Sequence, residues 1–394
     1  MKILHTADWQ LGKPYGRISD PDKRALARSA RFDALGRLAE VIAREDVALV
    51  LVAGDVFDTT TVDRPTVSKA CAAISRFAVP VILQPGNHDH GGAGSVWHQQ
   101  YFLEELARLA PNVNLALAPE RIDLAGISVF PCPLMRASEP LDLTAWLRDG
   151  GALAAAPDGN PRVVMAHGAT QDFGTSALDE EDGMGSNRLD LSRLPLEALD
   201  YIALGDWHGT KQVGTKAWYA GTHEPDRFPR GAGYVSGQTL LVDLERGRMP
   251  QVRSVPLGGL VWTALEHELL GDDGFSSLEM ALERSIGSGV DTHLLELTLT
   301  GRLGLAGTRR LETLLERLEA RLVRLKLDRR VGLEPQPDEL AELSHREADP
   351  AIANVAQGLM RQIALPGLPG EVARLALQEL YQLVHSGAKH ARGA

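Results

Sequence analysis

Ala48-Leu49-Val50-Leu51-Val52-Ala53-Gly54-Asp55-Val56-Phe57-Asp58 is the stretch on which the fold turns. Its apolar run is unbroken from Ala48 to Ala53 and stops at a glycine followed by carboxylates. A run of that length reads as a strand covered on both faces, as in a parallel sheet. The same layout recurs on either side. The β-prone opening Lys2-Ile3-Leu4-His5-Thr6-Ala7 ends at Asp8, and 79–83 ends in Pro85-Gly86-Asn87-His88-Asp89. Further on, 162–166 ends at His167, and 201–204 ends at Gly205-Asp206-Trp207-His208. Over 24–44, Leu26, Phe32, Leu35, Leu38, Ala39 and Ile42 fall at helical spacing, and 66–77 reads as a second helix. Strand, polar turn and helix in repetition describe an α/β sheet. The carboxyl edge of such a sheet is where ligands bind.

The residues at these ends are Asp8, Asp55 with Asp58, Asn87 with His88 and Asp89, His167, and Asp206 with His208. Carboxylates, imidazoles and a carboxamide are the ligand set of Mn²⁺, Fe²⁺ or Zn²⁺. Two such ions sharing a carboxylate can clamp a phosphodiester. Singly, each residue has a plainer reading: a strand-end Asp closes an Asx turn or caps a helix, and a lone His is structural. Five in order along one sheet edge favour a metal centre. His88, adjacent to Asn87, is poorly placed to bind the same ion and is free to carry a proton.

Composition bounds the rest. The 394 residues are 44% hydrophobic and 24% charged, which suits a large catalytic domain plus a smaller one. No apolar run approaches the roughly 18 residues of a membrane span. The N-terminus has no signal-peptide layout, so the expectation is a cytoplasmic chain without a membrane partner. Two cysteines, Cys71 and Cys132, allow neither a disulfide framework nor a cysteine-built zinc site. A formal charge of −11 excludes a passively basic coat for nucleic acid, though not a nuclease whose positive charge is local.

From Gly258 the texture changes. Segments 262–269 and 293–300 alternate as half-buried strands, and 277–286 and 309–321 are amphipathic helices, together a small α+β unit. Two more helical stretches follow at 350–363 and 371–385. The expected division is 1–257, 258–337 and 338–394. Positive charge gathers at 302–330, with Arg309, Arg310, Arg317 and Arg321 on one helix; this is a phosphate-tracking face or a solvated helix paired with Glu312, Glu316 and Glu319. Val372, Leu375, Ala376, Glu379, Leu380, Leu383 and Val384 form a largely apolar stripe, which packs on the chain's own core or enters a partner's groove. No Gly-x-x-x-x-Gly-Lys-[Ser/Thr] loop is present, so any ATP-driven step would come from a partner.

The series Asp8, Gly54-Asp55-Val56-Phe57-Asp58, Gly86-Asn87-His88-Asp89, His167-Gly168 and Gly205-Asp206-Trp207-His208 resembles the calcineurin-like metallophosphoesterase superfamily. The opening His5-Thr6-Ala7-Asp8-Trp9-Gln10-Leu11-Gly12, with the small C-terminal unit, is similar to the SbcD-type nuclease subunits of DNA double-strand-break repair. The resemblance implies a four-layer αββα sandwich over 1–257, an α+β capping domain over 258–337 and a helical partner-binding segment over 338–394. It implies two divalent metal ions, Mn²⁺ foremost, bridged by Asp55. Asp8 and His208 would complete one ligand shell, and Asn87, His167 and Asp206 the other. His88 would be the acid near the leaving oxygen, with Asp58 orienting its imidazole. Arg309, Arg310, Arg317 and Arg321 would face DNA, an SMC-like ATPase would be the partner, and a homodimer the working unit.

Two positions depart from that pattern. The family's Asp-x-His is Asp8-Trp9-Gln10 here, and its Gly-His-x-His is Gly205-Asp206-Trp207-His208. Gln10 either offers a neutral amide oxygen, a weaker ligand than imidazole, or hydrogen-bonds nearby. Asp206 adds a carboxylate, which favours harder ions such as Mn²⁺ and softens their Lewis acidity. The expectation is a metal-dependent nuclease with altered metal preference. The alternatives are a phosphoesterase on small nucleotides or phosphoproteins, and a catalytically weakened metal-binding scaffold for the ATPase. His223 lines the substrate groove or is a surface-loop histidine; Trp9 and Trp207 stack on a base or pack beneath the site.

Overall fold

The computed structural model describes the chain except residues 171–186, 230, 232, 272–273, 288, 335, 347–348 and 391–394, and except the side chains of 337 and 385–390. The chain divides into two compact units, Met1–Val261 and Trp262–Ala394.

The first unit is built on two six-stranded sheets. One runs in the order Gln251–Pro256, Gln238–Asp243, Lys2–Thr6, Leu49–Ala53, Val81–Gln84, Val113–Leu115, with the last four strands parallel. The other pairs Tyr201–Gly205, Arg162–His167 and Ile127–Cys132 in parallel at its centre. Leu49–Ala53 is buried throughout, as an unbroken apolar run requires. Its alternate residues serve two cores. Leu49, Leu51 and Ala53 meet Val129, Val163, Met165 and Ala203 of the second sheet between the layers. Val50 and Val52 face outward, against helices α1 (Pro21–Glu45), α2 (Arg64–Ile74) and α3 (Gln100–Leu109), through Leu35, Leu38, Ile42, Val67 and Phe102. The outer face of the second sheet is closed by α4 (Gly151–Ala154) and short turns, with Leu147, Leu153, Leu194 and Leu199 over Phe130, Val164 and Ile202. The layers are therefore helix, sheet, sheet, helix, the expected αββα sandwich.

Helix α1 starts at Pro21 because Asp20 accepts hydrogen bonds from the Asp22 and Lys23 amides ahead of it. Near the end of this unit, the buried Glu224 carboxylate accepts from the Gly259 and Leu260 amides, each at 2.8 Å, and pairs with Arg37 at 3.0 Å. Arg37 also donates to the Leu257 carbonyl.

In the second unit, a three-stranded sheet of Val261–Leu270, His293–Leu303 and Arg324–Leu333 carries α5 (Gly274–Ile286) and α6 (Leu305–Arg321) on one face. Leu269, Leu295, Leu297 and Leu299 meet Phe275, Leu278, Leu282 and Leu311 there. Helices α7 (Pro337–Ser344), α8 (Pro350–Ile363) and α9 (Leu368–His390) share a core with the start of α6, made by Leu305, Leu343, Ala356, Leu377 and Tyr381. Residues 338–394 thus fall in the same compact unit as 262–337. Of the apolar stripe on α9, Leu380 and Val384 pack on this core. Val372, Leu375 and Leu383 face solvent, at 54%, 63% and 68% exposure. Among the described residues no helix is long and apolar enough to cross a membrane.

Candidate metal centre

Register places the five strand ends together. Gly205 lies opposite His167, Leu83 opposite Val52, and Val52 opposite Thr6, so the turns that follow these strands emerge along one edge of each sheet. The turns are tight. Asp8, Gln10, Asp55 and Asp206 all have positive φ, at 53°, 39°, 54° and 102°. Non-glycine residues in that region are uncommon and concentrate at functional sites. Glycine is obligatory beneath them: a Cβ on Gly54 would lie 2.2 Å from His167 Nδ1, and one on Gly86 2.0 Å from Asp55 Oδ1.

Asp8, Asp55 and His167 are buried and each offers an atom within 4.8 Å of the others. His167 Nδ1–H donates to the Ala53 carbonyl at 2.8 Å, which turns Nε2 toward Asn87 Oδ1 at 2.9 Å, Asp55 Oδ1 at 3.5 Å and Asp206 Oδ1 at 3.8 Å. The Asp206 amide donates to Asp8 Oδ1 and the His88 amide to Asp55 Oδ1, each at 3.0 Å. Asp8 Oδ2 is buried and has no hydrogen-bond partner. Burial, with repulsion from Asp55 and Asp206, pushes the Asp8 carboxyl up to about 7 against the pull of His167. Burial alone would lower His167, but Asp55, Asp8 and Asp206 outweigh it and raise the imidazole to about 9. A cluster that draws protons in this way, and that includes an unpartnered buried carboxylate oxygen, is a donor set that fits a divalent cation.

The other expected residues lie around this cluster. His208 Nδ1 is 2.9 Å from Asp226 Oδ2, and its Nε2 is 3.4 Å from Gln10 Nε2. Gln10 Nε2 also donates to Asp55 Oδ2 at 3.4 Å, while its Oε1 accepts from Lys13 Nζ at 2.6 Å. Lys13 in turn donates to Asp226 at 3.0 Å. Burial lowers His208 to about 4, with Arg227 and Lys13 adding to the effect. Burial would raise Asp226, but His208, Lys13 and Arg227 hold it well below the usual carboxylate range.

His88 is half-buried, and its Nδ1 is 3.0 Å from the main-chain carbonyl of Asp58. That bond is made by the Asp58 backbone; the Asp58 carboxyl is raised mainly by burial, against the pull of Lys13 and His88. Asp89 is buried and accepts from the Gly86 and Phe57 amides at 2.7 and 3.0 Å, bracing the turn beneath Asn87.

His223 is neither in a groove nor on the surface. It is fully buried, with Nε2 2.8 Å from the Arg31 carbonyl, because the loop after Tyr219 turns inward beneath α1. Trp9 is buried and donates to Thr6 Oγ1 at 2.9 Å, which is a packing role. Trp207 is half-buried and meets Tyr234 edge-on. Sequence reasoning missed Arg31, Lys13 and Asp226. Arg31 is buried whole and donates to the carbonyls of Trp9 and Asp8 at 2.6 and 2.9 Å, holding the first turn from below. The arginines of the basic run lie on α6 in the second unit. Arg310 is 3.9 Å from Glu279 and stacks 4.2 Å over Phe275, Arg321 is 3.9 Å from Asp291, Arg317 is exposed and Arg309 half-buried.

Comparison with known proteins agrees with this architecture. Residues 1–247 match the calcineurin-like phosphoesterase family. The SbcD component of nuclease SbcCD from Rhodobacter capsulatus is 30% identical over 298 residues, which cover 65% of this chain and 69% of that protein. With two stacked sheets, a cation-fitting cluster at their edge and a family match over most of its length, the chain belongs to the calcineurin-like phosphoesterases.

Proposed function

We propose that this chain is a divalent-metal-dependent DNA nuclease that acts in DNA repair as part of a complex with an SMC-like ATPase. The observation that carries the hydrolytic reading is the buried Asp8–Asp55–His167 cluster with its unpartnered carboxylate oxygen. The narrower nuclease reading draws on the similarity to a nuclease subunit. Asp8, Asp55 and His208 would hold one cation, and Asp55, Asn87, His167 and Asp206 a second, with Mn²⁺ favoured by the three carboxylates. A cation so held supplies Lewis acidity toward a phosphoryl oxygen and toward water.

The chain's own residues do the positioning. Backbone amides of His88 and Asp206 fix the Asp55 and Asp8 carboxylates in place. His88 commits Nδ1–H to the Asp58 carbonyl, so Nε2 is the atom that exchanges a proton with the leaving oxygen. Asp226 fixes the tautomer and tilt of His208. On the second unit, Arg317 and its neighbours on α6 would follow DNA phosphates. The exposed Val372, Leu375 and Leu383 face of α9 would dock on the ATPase as a helix face does in a groove. A homodimer is the assembly in which we place the chain.

The test compares wild type with His88→Ala in Mn²⁺ on linear and hairpin DNA, with a model phosphodiester and a phosphomonoester alongside. General acid catalysis contributes about 10²–10⁴-fold, so His88→Ala should lose DNA cleavage by that factor while keeping its metal. Preference for the small esters would point to a small-substrate phosphoesterase. Absence of cleavage by the wild type, with metal bound, would point to a scaffold.

A further inference from the structure

Four side chains beside the centre close a ring of hydrogen bonds. Gln10 Nε2 meets His208 Nε2 at 3.4 Å, His208 Nδ1 meets Asp226 Oδ2 at 2.9 Å, Lys13 Nζ meets Asp226 Oδ2 at 3.0 Å, and Lys13 Nζ meets Gln10 Oε1 at 2.6 Å. The donor roles around this ring are determined by chemistry. An ammonium can only donate, so Lys13 must face the oxygen of the Gln10 amide and not its nitrogen. A carboxylate only accepts, so His208 gives its Nδ1–H to Asp226 and keeps a lone pair on Nε2. The Gln10 NH₂ then donates one hydrogen to that lone pair and the other to Asp55 Oδ2 at 3.4 Å. The opposite tautomer would accept from Arg227 Nη2, 3.0 Å from Nδ1, but it would set a lone pair against the Asp226 carboxylate at 2.9 Å and an N–H against the Gln10 NH₂.

His208 Nε2 and Asp55 Oδ2 are the atoms a cation would need on this side of the centre, and both already accept from one amide. An amide nitrogen has no lone pair to offer a metal, and its hydrogens carry partial positive charge. Lys13 prevents the amide from flipping its oxygen inward. Lys13 and Arg227, whose Nη2 is 3.0 Å from His208 Nδ1, add two formal positive charges to the same side. On the other side Asp55 Oδ1, Asn87 Oδ1, His167 Nε2 and Asp206 Oδ1 converge.

We propose that Gln10, locked by Lys13, makes the centre unequal: one divalent ion binds firmly on the Asn87–His167–Asp206 side, and a second binds weakly on the Asp8–His208 side, because it must break the ring. This rests on the metal-dependent reading above and assigns Gln10 and Lys13 as residues that set metal stoichiometry.

Calorimetric titration of the full chain with Mn²⁺, with metal analysis after gel filtration, tests it independently of activity. Wild type should retain one Mn²⁺ and bind the second at least about tenfold more weakly, on the scale by which residues around ligands alter metal affinity. Gln10→His restores a lone pair where the amide now donates, and should retain two Mn²⁺ with the gap closed by about tenfold or more. Histidine tolerates the positive φ of this position. Should that variant fail to fold, Lys13→Met releases the amide and removes a charge, and should narrow the gap in the same direction. Two wild-type ions of equal affinity would overturn the proposal alone, as would a gap unchanged in either variant. No Mn²⁺ binding by the wild type would overturn it together with the metal-dependent reading.

Discussion

His5 lies in the strand that leads to Asp8, and it is titrated by its surroundings. Its Nδ1 is 2.9 Å from the Tyr201 hydroxyl and its Nε2 3.2 Å from the Leu204 carbonyl, between the two sheets. The carbonyl takes the Nε2 hydrogen and the hydroxyl donates to Nδ1, so the ring is held neutral. Burial lowers it to about 3, against a small opposing pull from the Leu204 carbonyl. The unfolded chain therefore binds a proton at His5 that the folded chain refuses. Its contribution is complete above about 6.5 and is lost progressively as pH falls toward 3. His5→Gln should flatten the decline of unfolding free energy between pH 6.5 and 4, by up to about 1.4 kcal/mol per pH unit. Urea melts at several pH values read this directly; an unchanged slope would show that His5 is protonated in the folded state. At this scale the strand-end residues were legible because each is local to its strand and turn. Asp226, Lys13 and Arg31 were not, since an arginine at 31 acquires meaning only when the fold sets it beneath the carbonyls of Trp9 and Asp8.

Elements were legible where pattern and cap are adjacent in sequence, and misjudged where they are not. The buried strands stand out as unbroken apolar runs, whereas α6 starts at Leu305 and not at 309. Its first amides are satisfied by a distant residue: Glu339 accepts from Leu305 and Ala306 at 2.9 and 2.7 Å, and also from the Gln336 amide at 2.8 Å. One carboxylate thereby caps α6 and α7 together, and its charge complements the positive ends of both. Glu339→Ala leaves a buried amide at Leu305 without an acceptor, and should cost about 1–3 kcal/mol. A lowered denaturant midpoint for the second unit, with the first unit's transition unmoved, would check this. The α9 stripe shows a related limit. Periodicity identifies an apolar helix, but a face broad enough to hold Val372, Ala373, Leu375, Leu377 and Leu380 does not say which part meets the core. The structure buries the Ala373, Leu377 and Tyr381 side.

Across the whole molecule, the charge of −11 and the exposed leucines of α9 bear on one question, how much the chain does alone. Two exposed leucines changed to glutamate should leave the fold intact, since surface substitutions usually stay within about 0.5 kcal/mol. Leu375→Glu with Leu383→Glu should weaken binding to a purified SMC-like ATPase by at least about tenfold, while Mn²⁺-dependent hydrolysis of a model phosphodiester is unchanged; undiminished ATPase binding would exclude this face as the dock. The two-unit division also gives Glu224 a mechanical meaning. Its buried carboxylate grips the Gly259 and Leu260 amides, and Arg37 holds the Leu257 carbonyl, so the chain leaving the first unit is clamped up to Leu260. Swinging it free earlier would strip hydrogen bonds from a buried charge. That clamp stands two positions from Asp226, the residue that steadies His208, so whatever loosens the exit from the first unit also disturbs the loop that holds the centre.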